Sequence, residues 1–120
     1  MTKALIVDDE ADLRMLARLI LEGAGFDVAE ATGGAESLDR LDHERFDLLL
    51  LDLRMPPPDG WDVLAELQRR GRPDHLKILV ASAHVELSIR ARVLESGCDG
   101  FLAKPFTPEG LLDAVRGVLT

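Results

Sequence analysis

The 120-residue chain is 47% hydrophobic and carries 14 Lys and Arg against 22 Asp and Glu. That balance excludes a disordered polymer and predicts one domain over residues 1–120, long enough to bury somewhat over ~60% of its unfolded surface. The formal charge of −8 argues against direct binding of nucleic acid. No apolar run approaches the ~18 residues that span a bilayer, and lone Cys98 without a signal-peptide pattern fits a cytoplasmic protein with no membrane partner.

Ala4-Leu5-Ile6-Val7 reads as a first strand, and Leu13, Leu16, Ala17 and Ile20 form a helical stripe stopped by Gly23 and Gly25. A weaker run at Val28-Ala29 precedes a second helix with Ala35, Leu38 and Leu41 facing inward. Leu48-Leu49-Leu50-Leu51 is the third strand; Pro56-Pro57-Pro58 stiffens the connection, and Asp59-Gly60 opens a third helix carrying Val63, Leu64 and Leu67. Ile78-Leu79-Val80-Ala81 leads to a fourth helix with Leu87, Ala91 and Leu94, closed by Gly97. Phe101-Leu102-Ala103 is the last strand, and Thr107-Pro108 caps a fifth helix containing Leu111, Leu112, Val115 and Val118. Apolar runs that do not alternate fit strands buried on both faces, so the rhythm predicts a doubly wound (βα)5 α/β domain with a parallel sheet. The fifth helix runs almost to Thr120, so any effector domain is expected to be absent or outside this chain.

In such a sheet, ligands gather beyond the carboxyl ends of the strands. Those ends carry Asp8-Asp9-Glu10, Asp52, Ser82 and Lys104-Pro105. Any one of these Asp residues alone reads more simply as a helix cap. Together they form an oxygen-only cluster without His or Cys, which suits Mg2+ rather than Zn2+.

The stretches Val7-Asp8-Asp9-Glu10, Asp52-Leu53-Arg54-Met55-Pro56-Pro57-Pro58-Asp59-Gly60, Ser82-Ala83 and Lys104-Pro105-Phe106 closely resemble the receiver domain of two-component response regulators, over essentially the whole chain. The resemblance implies a flavodoxin-like five-stranded sheet of order 2-1-3-4-5. It implies that Asp52 accepts a phosphoryl group from a phosphohistidine of a histidine kinase or histidine phosphotransfer protein. It further implies that Asp9 and Asp52 bind Mg2+, with Mn2+ able to substitute, while Asp8 acts largely through water and the backbone carbonyl of Arg54 completes the protein ligands. Ser82 matches the switch hydroxyl, Phe101 the switch aromatic and Lys104 the phosphate-pairing lysine, with the Lys104-Pro105 bond cis. A homodimer or an effector domain would engage the surface of the fourth helix, fifth strand and fifth helix.

This chain departs from many relatives in having Pro58 where Met is common and Phe101 where Tyr is common, so the aromatic switch lacks a phenolic hydroxyl. Arg54 and His84, two residues beyond the acceptor and the switch hydroxyl, would flank the phosphoryl group together with Ala83. Both are bulky and neither orients a water well, so they are expected to slow hydrolysis. Trp61 reads as a partly buried packing residue, Arg90 and Arg92 as a solvated face, and Cys98 as inert. His43 and His75 lie in expected surface connections without metal-ligand spacing. A haloacid-dehalogenase-like phosphohydrolase would also use an Asp nucleophile and Mg2+, but it needs an acid at the position held by Arg54 and room for a cap. A degenerate receiver acting only as a binding module would not need the retained Asp8, Asp9, Asp52, Ser82 and Lys104. The chain is therefore expected to be a switch, catalysing nothing beyond its own phosphorylation and dephosphorylation.

Overall fold

A computed structural model describes residues 2–83 and 87–120. In chain order the elements are β1 (Lys3–Val7), α1 (Ala11–Gly23), β2 (Asp27–Ala31), α2 (Gly34–His43), β3 (Leu48–Asp52), α3 (Gly60–Arg70), β4 (Lys77–Ser82), α4 (Leu87–Glu95), β5 (Gly100–Ala103) and α5 (Pro108–Leu119). The five strands form one parallel sheet of order β2-β1-β3-β4-β5. The flavodoxin-like (βα)5 arrangement expected from the sequence is the one observed.

Successive strand side chains point to opposite faces, and the core divides accordingly. Leu5, Val7, Leu49, Leu51, Ile78 and Val80 pack with Val63, Leu64, Leu67 and Val93 from α3 and α4. Ala4, Ile6, Leu48, Leu50 and Leu79 face Ala17 and Leu21 of α1 and Leu111 and Val115 of α5. Every residue of β3 is buried, as its unbroken Leu run requires.

Local chemistry sets the helix ends near the carboxyl edge. Asp59 accepts from the Asp62 N–H, and Asp62 accepts from the Asp59 N–H, both at 2.9 Å, so a reciprocal cap starts α3. Thr107 caps α5 by accepting from the Gly110 N–H, with Pro108 following it. Gly60 could not be another residue without movement, because a Cβ there would lie 2.4 Å from the Asp52 carbonyl oxygen. That contact seats the start of α3 against the end of β3. The Pro-rich connection is tied down similarly: a Cβ on Gly34 would meet the Pro58 carbonyl at 2.3 Å. Among the described residues two peptide bonds are cis, the expected Lys104-Pro105 and the unexpected Pro57-Pro58.

His43 is the last residue of α2 rather than part of a connection. The weak run at Val28-Ala29 is the middle of a five-residue edge strand whose Asp27 and Glu30 interrupt its apolar pattern.

Candidate functional site

The carboxyl edge of the sheet brings Asp8, Asp52 and Lys104 into direct contact. Asp52 ends β3 and is only 4% exposed; Asp8 follows β1 and is 6% exposed. The Lys104 ammonium donates to Asp8 Oδ2 at 2.7 Å and lies 3.3 Å from Asp52 Oδ1. Its placement follows from the sheet. Ser82 pairs with Ala103, and the Lys104 N–H donates to the Ser82 carbonyl at 2.9 Å, extending the β4–β5 ladder by one residue.

Each acid is also held by backbone. The Arg54 N–H donates to Asp52 Oδ1 at 3.3 Å, and the Glu10 N–H donates to Asp8 Oδ1 at 2.9 Å. Burial pushes the Asp52 carboxyl up to about 6; the Lys104 charge pulls against that, and the neighbouring Asp8 charge adds to it. Burial disfavours the Lys104 ammonium, but its hydrogen bond to Asp8 and the charge of Asp52 outweigh this and leave its pKa above the ordinary lysine value. The pair is therefore Lys+ with ionised Asp52 at neutral pH.

Among the described residues, the carboxylate oxygens of Asp8, Asp9 and Glu10 lie within 4.8 Å of one another. This donor set is all oxygen and partly open to solvent, with Asp9 and Glu10 exposed, which fits a hard divalent cation. Asp52 lies outside that close group, with Lys104 between it and Asp8. Glu10, which the strand-end motif includes but to which the resemblance gives no ligand role, joins the two Asp residues in this group.

Ser82 is buried at the end of β4, one residue beyond the Ala81 that pairs with Asp52. Phe101 is half-buried against the α3/α4 side of the core, and the Arg90 guanidinium lies 5.2 Å from its ring centroid. Arg54 and Ala83 are exposed at the site's rim, and His84 lies outside the described residues. An open cavity of about 560 Å3 beside Asp9 is walled by Arg54, Met55, Trp61 and Ile89.

The solvated face expected of Arg90 and Arg92 also packs on aromatic rings. Arg90 and Arg92 are exposed, but each covers an aromatic ring, Arg92 lying 4.3 Å from the Trp61 centroid. A guanidinium gains from stacking on a ring face while keeping its edge in water. Trp61 packs on the core as expected. Burial raises the pKa of the Cys98 thiol, consistent with an inert residue.

Residues 4–116 match the response regulator receiver domain. The response regulator MprA of Mycobacterium tuberculosis is 40% identical over 117 residues, covering 98% of this chain and 50% of that protein. The transcriptional regulatory protein ResD of Bacillus subtilis is 35% identical over 119 residues, covering 98% and 48%. The chain thus spans about half the length of the curated relatives it matches. Among solved structures, the chemotaxis protein CheY4 of Vibrio cholerae superposes with a TM-score of 0.92 at 30% identity over 99% of both chains. Agreement of sequence and sheet order across nearly every residue leaves one assignment: the chain belongs to the response regulator receiver domains, signal-transduction modules of two-component systems.

Proposed function

We propose that residues 1–120 form a single phosphorylation-activated switch, in which Asp52 accepts a phosphoryl group from a phosphohistidine of a histidine kinase or histidine phosphotransfer protein in the cytoplasm. The observation that carries this reading is the buried Asp52 carboxylate at a strand end, facing an ammonium that it shares with Asp8. With its pKa raised to about 6, Asp52 stays largely ionised at neutral pH and is more basic than a solvated carboxylate. An Asp52 oxygen forms the new bond to phosphorus as the bond to the donor imidazole nitrogen breaks, and that nitrogen keeps the electron pair.

Asp8, Asp9, Asp52 and the Arg54 backbone carbonyl would hold Mg2+, or Mn2+ in its place, which would neutralise charge on the phosphoryl oxygens. Lys104 supplies a second, fixed cation to the same oxygens. Replacing one carboxylate charge by about two phosphate charges leaves Lys104 short of balance, and the Ser82 hydroxyl is the nearby donor able to answer it. Movement of Ser82 shifts the segment after β4 and makes room for Phe101, which relays the change to the α4-β5-α5 face. That face would serve a second copy or an effector domain. Arg54 and Ala83 at the rim, with His84 assigned to the same role by its sequence position alone, would set the phosphoryl lifetime.

Incubation with acetyl phosphate should add one phosphoryl mass to the wild-type chain. Asp52→Asn, or wild type in excess EDTA, should gain none. Equal uptake by Asp52→Asn would remove Asp52 as the acceptor.

A further inference from the structure

We infer that Arg14, anchored by Glu30, is a positioning residue that sets the peptide between Asp8 and Asp9 and thereby strengthens divalent-cation binding by the acidic pocket. The inference rests on the reading of that pocket as the Mg2+ site. Arg14 lies on α1, outside the cluster of acids, and its side chain is only 15% exposed. Nη1 donates to the Asp8 carbonyl at 2.8 Å, while Nε donates to Glu30 Oε1 at 3.2 Å. The other Glu30 oxygen accepts from Arg18 Nη1 at 2.7 Å. Glu30 sits on β2 opposite Ile6, so its carboxylate is a fixed post on the neighbouring strand.

Asp8 is therefore held by β2 on both sides. Its N–H donates to the Ala31 carbonyl at 3.3 Å, and its carbonyl accepts from a guanidinium tethered to Glu30. Because a peptide unit is planar, fixing the Asp8 carbonyl fixes the Asp9 N–H and the direction in which the chain enters Asp9 and Glu10. Those are the residues whose carboxylates gather with that of Asp8. A planar guanidinium can bind carbonyl and carboxylate at once; a lysine ammonium reaches the same targets without the fork.

Positioning and simple electrostatics predict opposite signs. A cationic side chain near a cation site weakens binding through its charge, so deleting that charge should tighten binding. If Arg14 instead orders the ligands, deleting it should loosen binding even though a positive charge is lost. Groups that orient metal ligands typically matter by about 10–100-fold in affinity.

The test is Mn2+ binding to the full chain, read from the free-ion signal in electron paramagnetic resonance, with thermal unfolding measured alongside. Arg14→Gln and Arg14→Lys should each weaken binding about tenfold, and Glu30→Gln severalfold, whereas Arg18→Gln should stay within twofold of wild type. Equal or tighter binding by Arg14→Gln, or wild-type affinity in Arg14→Lys, would overturn the inference. Should Arg14→Gln fail to fold, Arg14→Lys and Glu30→Gln decide it. Wild-type chain that binds no Mn2+ would overturn the pocket reading itself, a result distinct from wild-type binding that the variants leave unchanged.

Discussion

Both edges of the sheet carry acids at strand ends, but among those named here only Asp8 and Asp52 of the carboxyl edge are buried, and the two edges use their acids differently. At the amino edge, Asp47 accepts from the Lys3 N–H at 2.9 Å, and Asp99 accepts from the Ile78 N–H at 2.8 Å while pairing with Arg72. Each of these carboxylates ties one strand start to a nearby loop, and its charge is met locally. At the carboxyl edge, Asp8 and Asp52 share Lys104, and Asp9 and Glu10 add further negative charge within reach. The amino edge is balanced and holds the strands in place. The carboxyl edge is left in electrostatic deficit, which is what a site for a cation and a phosphoryl group requires.

Substitution of Lys104 breaks this contrast most severely. Lys104→Ala removes the cation from two buried acids, and phosphoryl uptake from acetyl phosphate should slow roughly a hundredfold or more. The Asp52 midpoint, followed by carboxyl 13C NMR, should then rise further above about 6. A midpoint that falls would show that Lys104 does not stabilise the carboxylate.

The next largest effect is on stability against pH. The folded-state pKa of Asp52 lies above its ordinary value of 3.8, so the folded chain holds this proton more tightly than the unfolded chain. That contribution is fully present below about 4 and is lost as pH rises through about 6. In metal-free protein, Asp52→Asn should therefore become more stable than wild type by on the order of 2–3 kcal/mol between those pH values, and Mg2+ should narrow the gap. Urea unfolding across the range measures it, and a constant difference would contradict the buried-charge account.

At the opposite edge, Asp99→Ala should cost about 1–3 kcal/mol by orphaning the Ile78 N–H and removing the ion pair with Arg72, which keeps its hydrogen bond to the Gly97 carbonyl. Phosphoryl uptake should remain within twofold of wild type. A loss of uptake matching that of Lys104→Ala would erase the distinction between the edges.

The smallest effect concerns the rim. Arg54→Asn/His84→Glu should shorten the phosphoryl lifetime roughly tenfold, equivalent to about 1.4 kcal/mol of barrier. Unchanged or slower decay would mean that these side chains do not shield the group.

Legibility in the sequence followed burial. The β1, β3 and β4 runs are apolar on both faces because helices cover both faces, so composition alone marks them. β2 lies at the sheet edge, where Glu30 takes part in an ion-pair network, and only Val28-Ala29 stood out. Asp8, Asp52 and Lys104 were legible because topology sends strand ends to one place. Arg14 was not: in sequence it is one polar residue within an amphipathic helix, and its target is a backbone carbonyl that carries no residue signature. The stacking of Arg92 on Trp61 was hidden for a related reason, since it joins two helices whose relative placement no local pattern encodes.

The central claim is that Asp52, among several clustered carboxylates, is the one that becomes an acyl phosphate. Borohydride reduction of phosphorylated protein converts an aspartyl phosphate to homoserine, which peptide mass spectrometry assigns to a position. Homoserine is expected at position 52, with Asp8, Asp9 and Glu10 intact. Homoserine at position 8 or 9, or a stable phosphoryl adduct that borohydride does not reduce, would contradict it.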